Sequence, residues 1–491
     1  MSNKKDNLTK VFITGSCITF GGMLSMGLIN YFARRTLAIE LTTREYGYFY
    51  AAFSFVMLIG IFLDLGLGYT ANILIAKYDI DESNQLKKSK IFTILFTIKV
   101  VLGIIASIFL ILLASWLVDN YFHYPRGKFT FILLSIALLS SIMIGFCSSV
   151  LTSLKDFKYN IIFLNLSAFI SLIIIYIFTP IINIAAPAIG FIVNGFFVSL
   201  IAFIYISKRH NLSLKFTLQS SYKDEIEELW KVGKWIAFGM AGLNALYYLD
   251  SVMLTFLTDL KSVALYNIAL PIMQIFQSLL VLPAVFIPIA SSLWTQGKKD
   301  EIGIITSNFI SFTIIAAWST LLITLVFGKD IIRILFSAKY IAANDALIVL
   351  CVGIVCYSLA LFSLGILNCS KHEKHATIIV FIGIIVNILL NLTLIPILNI
   401  LGAAIATFSS YLVIIIFGSI KLRRIITNIY IPWKLYLKCT LVGGVALTAV
   451  CVANQYNYFI IQIIILILYF IISILLFKNI ILYILKGMKF N

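Results

Sequence analysis

Five charged residues lie where the surrounding sequence is apolar: Arg34, Arg35, Asp64, Lys99 and Asp250. A charge at the centre of a bilayer costs about 2.5–3.5 kcal/mol on insertion scales, so each needs a physical reason to be there. Arg34 and Arg35 each carry a planar fork of donors that fits a phosphate or a carboxylate, and such residues also anchor helix ends at a membrane surface. Lys99 either contacts an anion or snorkels back to the headgroups along its alkyl stem. Asp64 and Asp250 are either paired with a cation or able to exchange a proton as access to them changes, which makes them candidate coupling residues. Gln274 and Gln277, and likewise Asn387 and Asn391, share a helix face. Such amides line a binding cavity or hydrogen-bond helix to helix. His372 and His375 have metal-like spacing around Glu373, but they fall in a short loop without a third ligand. The seven cysteines fit neither a zinc site nor a disulfide framework. No catalytic group, metal or cofactor is expected.

The elements that must position these residues follow from composition. Of 491 residues, 61% are hydrophobic and 12% charged, a balance that soluble domains do not carry. About 20 apolar residues cross a hydrocarbon core, and inside lipid such runs must be helices. Fourteen apolar segments are expected, at roughly 11–32, 46–75, 91–118, 128–153, 157–180, 183–206, 234–257, 262–290, 302–327, 341–368, 374–397, 399–420, 434–453 and 457–483. The first follows the tail "MSNKKDNLTK" and is too long for a signal-peptide core, so it reads as a retained span. The fold class is therefore an all-α polytopic membrane protein.

Lys and Arg collect in cytoplasmic connections. With the N-terminus inside, 27 of the 37 fall in inner connections or the span ends that flank them, nine in or beside outer loops, and Lys99 well inside a span. Both termini are expected in the cytoplasm. The same bias accounts for most of the net charge of +17 as topogenic charge facing lipid headgroups, without a nucleic-acid role.

The chain also states one phrase twice. "IFTPIINIAAPAIGF" (177–191) and "TLIPILNILGAAIAT" (393–407) align at an offset of 216 with six of fifteen positions identical, Pro180/Pro396 and Asn183/Asn399 among them. The same offset aligns "KDFK" (155–158) with "KHEK" (371–374), and an offset of 217 aligns "GYFYAA" (47–52) with "ALYNIA" (264–269). Spans 1–6 and 7–12 thus read as two parallel copies of one six-helix unit, with a functional cavity expected at their interface. The expected organisation is an N-lobe at 1–207, a cytoplasmic linker at 208–233, a C-lobe at 234–425 and two extra spans within 426–491. The linker's "SYKDEIEELW" reads as a short amphipathic helix.

Several phrases in this order resemble the multidrug/oligosaccharidyl-lipid/polysaccharide exporter superfamily, and within it the polysaccharide-unit flippases (Wzx-type). They are "ARRTLAIELTTREYGYFYAAFSFVMLIGIFLDLGLGYTANILIAKY" (33–78), "YYLDSVMLTFL" (247–257) followed by "ALYNIA", "LFSAKY" (335–340), "GILNCSKHEK" (365–374) and "NLTLIPILNILGAAIAT" (391–407). The resemblance implies a two-lobed, fourteen-helix flippase of the bacterial inner membrane. It would move a polyprenyl-diphosphate-linked oligosaccharide from the cytoplasmic to the periplasmic leaflet for O-antigen, lipopolysaccharide or capsule synthesis. Its implied partners are membrane lipids, a polysaccharide polymerase and chain-length machinery. Many relatives have a basic residue after the seventh-helix Asp; here Ser251 and Val252 follow Asp250. Under this reading Arg34, Arg35 and Lys99 would meet diphosphate or acidic sugar.

Two other classes compete. Drug/cation antiporters of the same superfamily often use a first-helix carboxylate, which span 11–32 lacks. A polytopic polymerase or glycosyltransferase needs a sizeable external loop, and the external loops here have thirteen residues or fewer. There is no phosphate-binding Gly-x-x-x-x-Gly-Lys-Ser/Thr loop, so energy would come from an ion gradient or from removal of product. Reporter fusions test the topology. Those after Lys158 and Lys374 should report cytoplasm, and those after Asn183 and Asn399 the opposite side; one reversed reporter breaks the two-copy reading.

Overall fold

Backbone amides in hydrocarbon find no water, so long apolar runs close their hydrogen bonds internally. The computed structural model describes residues 2–64, 74–76, 78, 85–214, 223–279, 282–426, 429, 433–456 and 458–487. Among these residues there are fifteen α-helices and no strand. In the first half they are α1 (Ser2–Glu40), α2 (Thr43–Asp64), α3 (Gln85–Asn120), α4 (Lys128–Ser153), α5 (Phe157–Ile182), α6 (Ala186–His210) and α7 (Lys223–Leu257). The second half has α8 (Leu260–Leu279), α9 (Leu282–Thr295), α10 (Lys299–Leu335), α11 (Asn344–Cys369), α12 (Glu373–Leu398), α13 (Ile400–Arg423), α14 (Trp433–Gln455) and α15 (Phe459–Gly487). Eleven stretches among the described residues are long and apolar enough to cross a membrane, and one of them, Phe157–His210, contains both α5 and α6. The chain is a polytopic all-α membrane protein.

One expectation changes in detail. The "SYKDEIEELW" stretch is no separate helix, because α7 runs unbroken from Lys223. Gly233 is its only interior breaker before the apolar run, and one glycine costs a helix only about 1 kcal/mol. Expected span two continues to residue 75, but residues 65–73 lie outside the described set.

The duplicated phrases have duplicated backbones. Asn183 and Asn399 end α5 and α12 with φ/ψ of 49°/−126° and 53°/−129°. Each amide donates back to the residue four earlier, Thr179 or Ile395. Pro180 and Pro396 sit in the preceding turn, where the missing N–H weakens helix continuation. At the opposite ends, Lys155 and Lys371 have positive φ of 57° and 62°. There the amides of Asp156 and His372 donate to Leu151 and Leu367, both at 2.9 Å. Packing repeats too: α4 lies against α3 and α6, and α5 against α6, as α11 lies against α10 and α13, and α12 against α13.

By packing, the chain forms two compact units, Met1–Asn267 and Ile268–Asn491. In the first, a core of Phe92, Leu95, Phe146, Val150 and Val198 joins α3, α4 and α6, α1 lies on α5, and α2 lies on α7. So α7, which opens the second sequence repeat, packs with the first unit. In the second, α14 and α15 stack on α10 through Leu322, Ala446, Val450, Leu466 and Tyr469.

Gly47 is where α2 meets the start of α8. A Cβ there would lie 1.7 Å from the Leu260 carbonyl oxygen, whereas one at Gly145 would meet nothing within 4 Å. Gly47→Ala should therefore cost at least the roughly 1–3 kcal/mol of an overpacked contact. It should appear as a lower melting temperature in detergent, with Gly145→Ala at or above wild type.

Candidate functional site

The first-unit site begins with a tyrosine ladder. Tyr46 and Tyr50 are one turn apart on α2, so their rings share a face, with centroids 4.6 Å apart. Into that face α1 delivers Arg34, whose Cζ lies 4.9 Å from the Tyr50 ring centroid. A guanidinium over an aromatic face keeps its charge at reduced dehydration cost. The guanidinium also donates to the Asn267 carbonyl at 3.5 Å, and Tyr247 of α7 offers it a hydroxyl oxygen. Tyr248 adds a second α7 ring beside Tyr247, with centroids 5.0 Å apart. Ion pairs among the described residues lie elsewhere, at His210–Asp156, Lys298–Glu301 and Arg333–Asp330. No carboxylate among the described residues neutralises Arg34, so its fork can take an anionic ligand.

The carboxylate of this region is one helix over. Asp250 is 1% exposed and accepts a hydrogen bond from the Tyr266 hydroxyl at 2.5 Å. Beside it, Asn267 Nδ2 donates to Ser251 Oγ and to the Val263 carbonyl, both at 3.0 Å. Asn267 thus touches both halves of the site, its carbonyl to Arg34 and its amide to the residue after Asp250. The sequence phrases "YYLDS" and "ALYN" meet here as the facing edges of α7 and α8.

The remaining sequence candidates scatter. Lys99 is 5% exposed and faces Cys147 of α4, inside the first unit rather than toward lipid. Asn387 and Asn391 are fully buried. Asn391 Nδ2 donates to Asn387 Oδ1 at 3.0 Å, and Asn387 Nδ2 donates to Thr407 Oγ1 at 3.3 Å. That is a clasp between α12 and α13. Gln274 is exposed and Gln277 half-buried on α8, in the second unit. Arg35, one residue from Arg34, lies in a different groove against α5. Asp64 ends α2, but its side chain lies outside the described residues. Sequence reasoning missed Tyr46, Tyr50, Tyr247, Tyr248 and Tyr266. The signal for them was present: a four-residue Tyr spacing on one helix and a Tyr pair just before Asp250 on another.

This helical fold, with eleven apolar stretches long enough to span among the described residues, is that of a multi-pass membrane protein. A model of the polysaccharide biosynthesis protein family matches residues 9–294, more than half of the chain. The chain belongs to that family. A MatE model matches residues 236–393. An uncharacterized membrane protein of Methanocaldococcus jannaschii is 27% identical over 432 residues, 84% of either chain. The solved structure of the lipid II flippase MurJ in an inward closed conformation aligns with a TM-score of 0.75 at 17% identity, covering 96% of this chain and 100% of that one. An inward-facing multidrug resistance MATE family transporter aligns at 0.67 with 13% identity, covering 81% and 95%.

A double-mutant cycle tests the buried pair. Tyr266→Phe deletes the donor to Asp250 and should cost about 1–3 kcal/mol of stability. With Asp250→Asn the two losses should be non-additive by at least 0.5 kcal/mol, the usual sign of groups in contact. Additive losses in detergent unfolding would mean that the two side chains do not interact.

Proposed function

We propose that this protein is a flippase that moves a polyprenyl-diphosphate-linked oligosaccharide from the cytoplasmic to the outer leaflet of the bacterial inner membrane by alternating access. The observation that carries the reading is Arg34. It is a cation near the end of α1, held by Tyr50 and by the Asn267 carbonyl and Tyr247 hydroxyl. A diphosphate cannot enter hydrocarbon unaided, because stripping water from bare charge costs tens of kcal/mol. A guanidinium with free donors, ringed by aromatic faces and hydroxyls, replaces part of that hydration, and tyrosine rings also suit the faces of sugars. The lipid tail can stay in the bilayer throughout. Family membership and the fold shared with a lipid II flippase support a lipid-linked substrate. Lys99 would add a second cationic contact.

A drug/cation antiporter is the second reading, favoured by the MatE match over 236–393 and by the buried carboxylate of Asp250. The two readings separate in one experiment. The chain is expressed in cells depleted of their own polysaccharide-unit flippase, and surface glycan and efflux of a cationic dye are measured together. Restored glycan without dye efflux is the expected result; dye efflux without glycan overturns the proposal. Arg34→Ala should abolish glycan export at normal protein abundance, and Arg34→Lys should keep part of it.

Asp250→Asn keeps size and hydrogen bonding but removes titration. It should leave membrane abundance near wild type, lower export, and flatten the dependence of export on external pH. Normal export by this variant at every pH would remove Asp250 from coupling.

A further inference from the structure

Adjacent residues on an α-helix point about 100° apart, and Arg35 therefore leaves the tyrosine cage that holds Arg34. It faces a groove of about 710 Å³ between α1 and α5. The walls are apolar: Phe32 and Ile39 from α1, Leu172, Ile173 and Ile177 from α5. Most of these side chains are exposed, so the groove opens on the surface that the helices present to the bilayer. It holds one cation, Arg35, and one carboxylate, Glu40. Among the described residues the Arg35 guanidinium has a single side-chain hydrogen bond, to the Tyr31 hydroxyl at 3.5 Å. Arg35 and Glu40 do not pair with each other.

The order of the two charges along α1 is informative. Glu40 is the last residue of the helix, and Arg35 lies five residues deeper, about 7.5 Å toward the membrane interior. The apolar walls continue deeper still, through Phe32 of α1. A ligand that fits from the inside outward has an apolar chain, then an anion, then a cation. A zwitterionic aminophospholipid has that sequence: acyl chain, phosphate, ammonium. A diphosphate fits poorly, since its charge of two or more would meet one guanidinium and then a carboxylate. A purely anionic phospholipid would satisfy Arg35 and leave Glu40 facing a like charge. Tyr176, 70% exposed in the same groove, supplies an aromatic ring and hydroxyl of the kind that settle at headgroup level.

We propose that the α1–α5 groove is a binding site for one zwitterionic aminophospholipid, its phosphate on Arg35, its ammonium on Glu40 and one acyl chain along Phe32, Ile173 and Ile177. By the charge bias of the connections this end of α1 faces outward, so the lipid belongs to the outer leaflet. The site is separate from the Arg34 cage and does not depend on which substrate the protein carries.

The test uses the full-length protein, delipidated in detergent and titrated with phosphatidylethanolamine or phosphatidylglycerol, with bound lipid counted by native mass spectrometry. Wild type should show one saturable phosphatidylethanolamine site with weaker phosphatidylglycerol binding. Arg35→Ala should weaken phosphatidylethanolamine about tenfold or more, the loss expected for a hydrogen bond to a charged group. Glu40→Gln should weaken phosphatidylethanolamine while leaving phosphatidylglycerol unchanged or tighter. Ile177→Trp fills the groove without altering either charge and should also lower occupancy, with its melting temperature reporting whether the variant is folded. Wild-type binding by Arg35→Ala, or by a folded Ile177→Trp, overturns the site. Tighter phosphatidylglycerol than phosphatidylethanolamine binding by wild type overturns the zwitterion and leaves a simple anion contact.

Discussion

Hydrocarbon offers no hydrogen bonds, and the rest of this molecule follows from that. Each backbone run closes on itself as a helix, so no loop or sheet edge faces lipid at membrane depth. Short hydroxyls such as Thr93, Ser135 and Ser410 are satisfied by carbonyls one turn back in their own helix, while larger polar groups reach sideways to the next helix. Arg34 is held from α2, α7 and α8, Asp250 from α8, and Asn387 from α13. The polar contacts that stabilise the helical packing and those that make a site are the same kind of contact. The Asn391–Asn387–Thr407 clasp is buried and joins two helices, whereas Arg34 keeps donors that no carboxylate among the described residues takes up.

Much of the architecture was legible because that constraint writes itself in composition. Apolar length marks spans, and the expected 128–153 and 374–397 correspond to Lys128–Ser153 and Glu373–Leu398. The repeat was legible for a more local reason. Its shared residues, Pro180/Pro396 and Asn183/Asn399, set backbone geometry, and a proline followed by an asparagine at positive φ leaves few alternatives to a tight reversal. The site was only partly legible. Charges stand out against an apolar background, so Arg34 and Asp250 were found. Tyrosine does not stand out in a chain that is 14% aromatic, and its role depends on which way each helix turns. The contrast between Arg34 and Arg35 makes the same point: neighbours in sequence, they serve different surfaces, and only helix packing says which.

The two charges of the site lie at nearly equivalent positions of the two sequence repeats. The ends of α1 and α2, at Glu40 and Thr43, recur 217 residues later at Leu257 and Leu260, the ends of α7 and α8. At that offset Arg34 corresponds to Ser251, and Tyr50 to Asn267. Both pairs are in contact, Arg34 over the Tyr50 ring and Asn267 donating to Ser251. The neighbouring pair Ala33 and Phe49 corresponds to Asp250 and Tyr266, which are hydrogen-bonded. The same two helix positions are thus in contact in both halves, with a cation in the first and a carboxylate in the second. A cation and a carboxylate facing each other there would form a closed ion pair, costly to desolvate and with no valence left for a ligand or a proton. Arg34 is held by Tyr50, Tyr247 and the Asn267 carbonyl, and Asp250 accepts from Tyr266. Asn267 touches both sides, its backbone serving Arg34 and its side chain the neighbour of Asp250. A shift of α8 that moved Asn267 would alter the surroundings of Arg34 and of Asp250 together, which is what the proposed coupling of substrate movement to a proton requires.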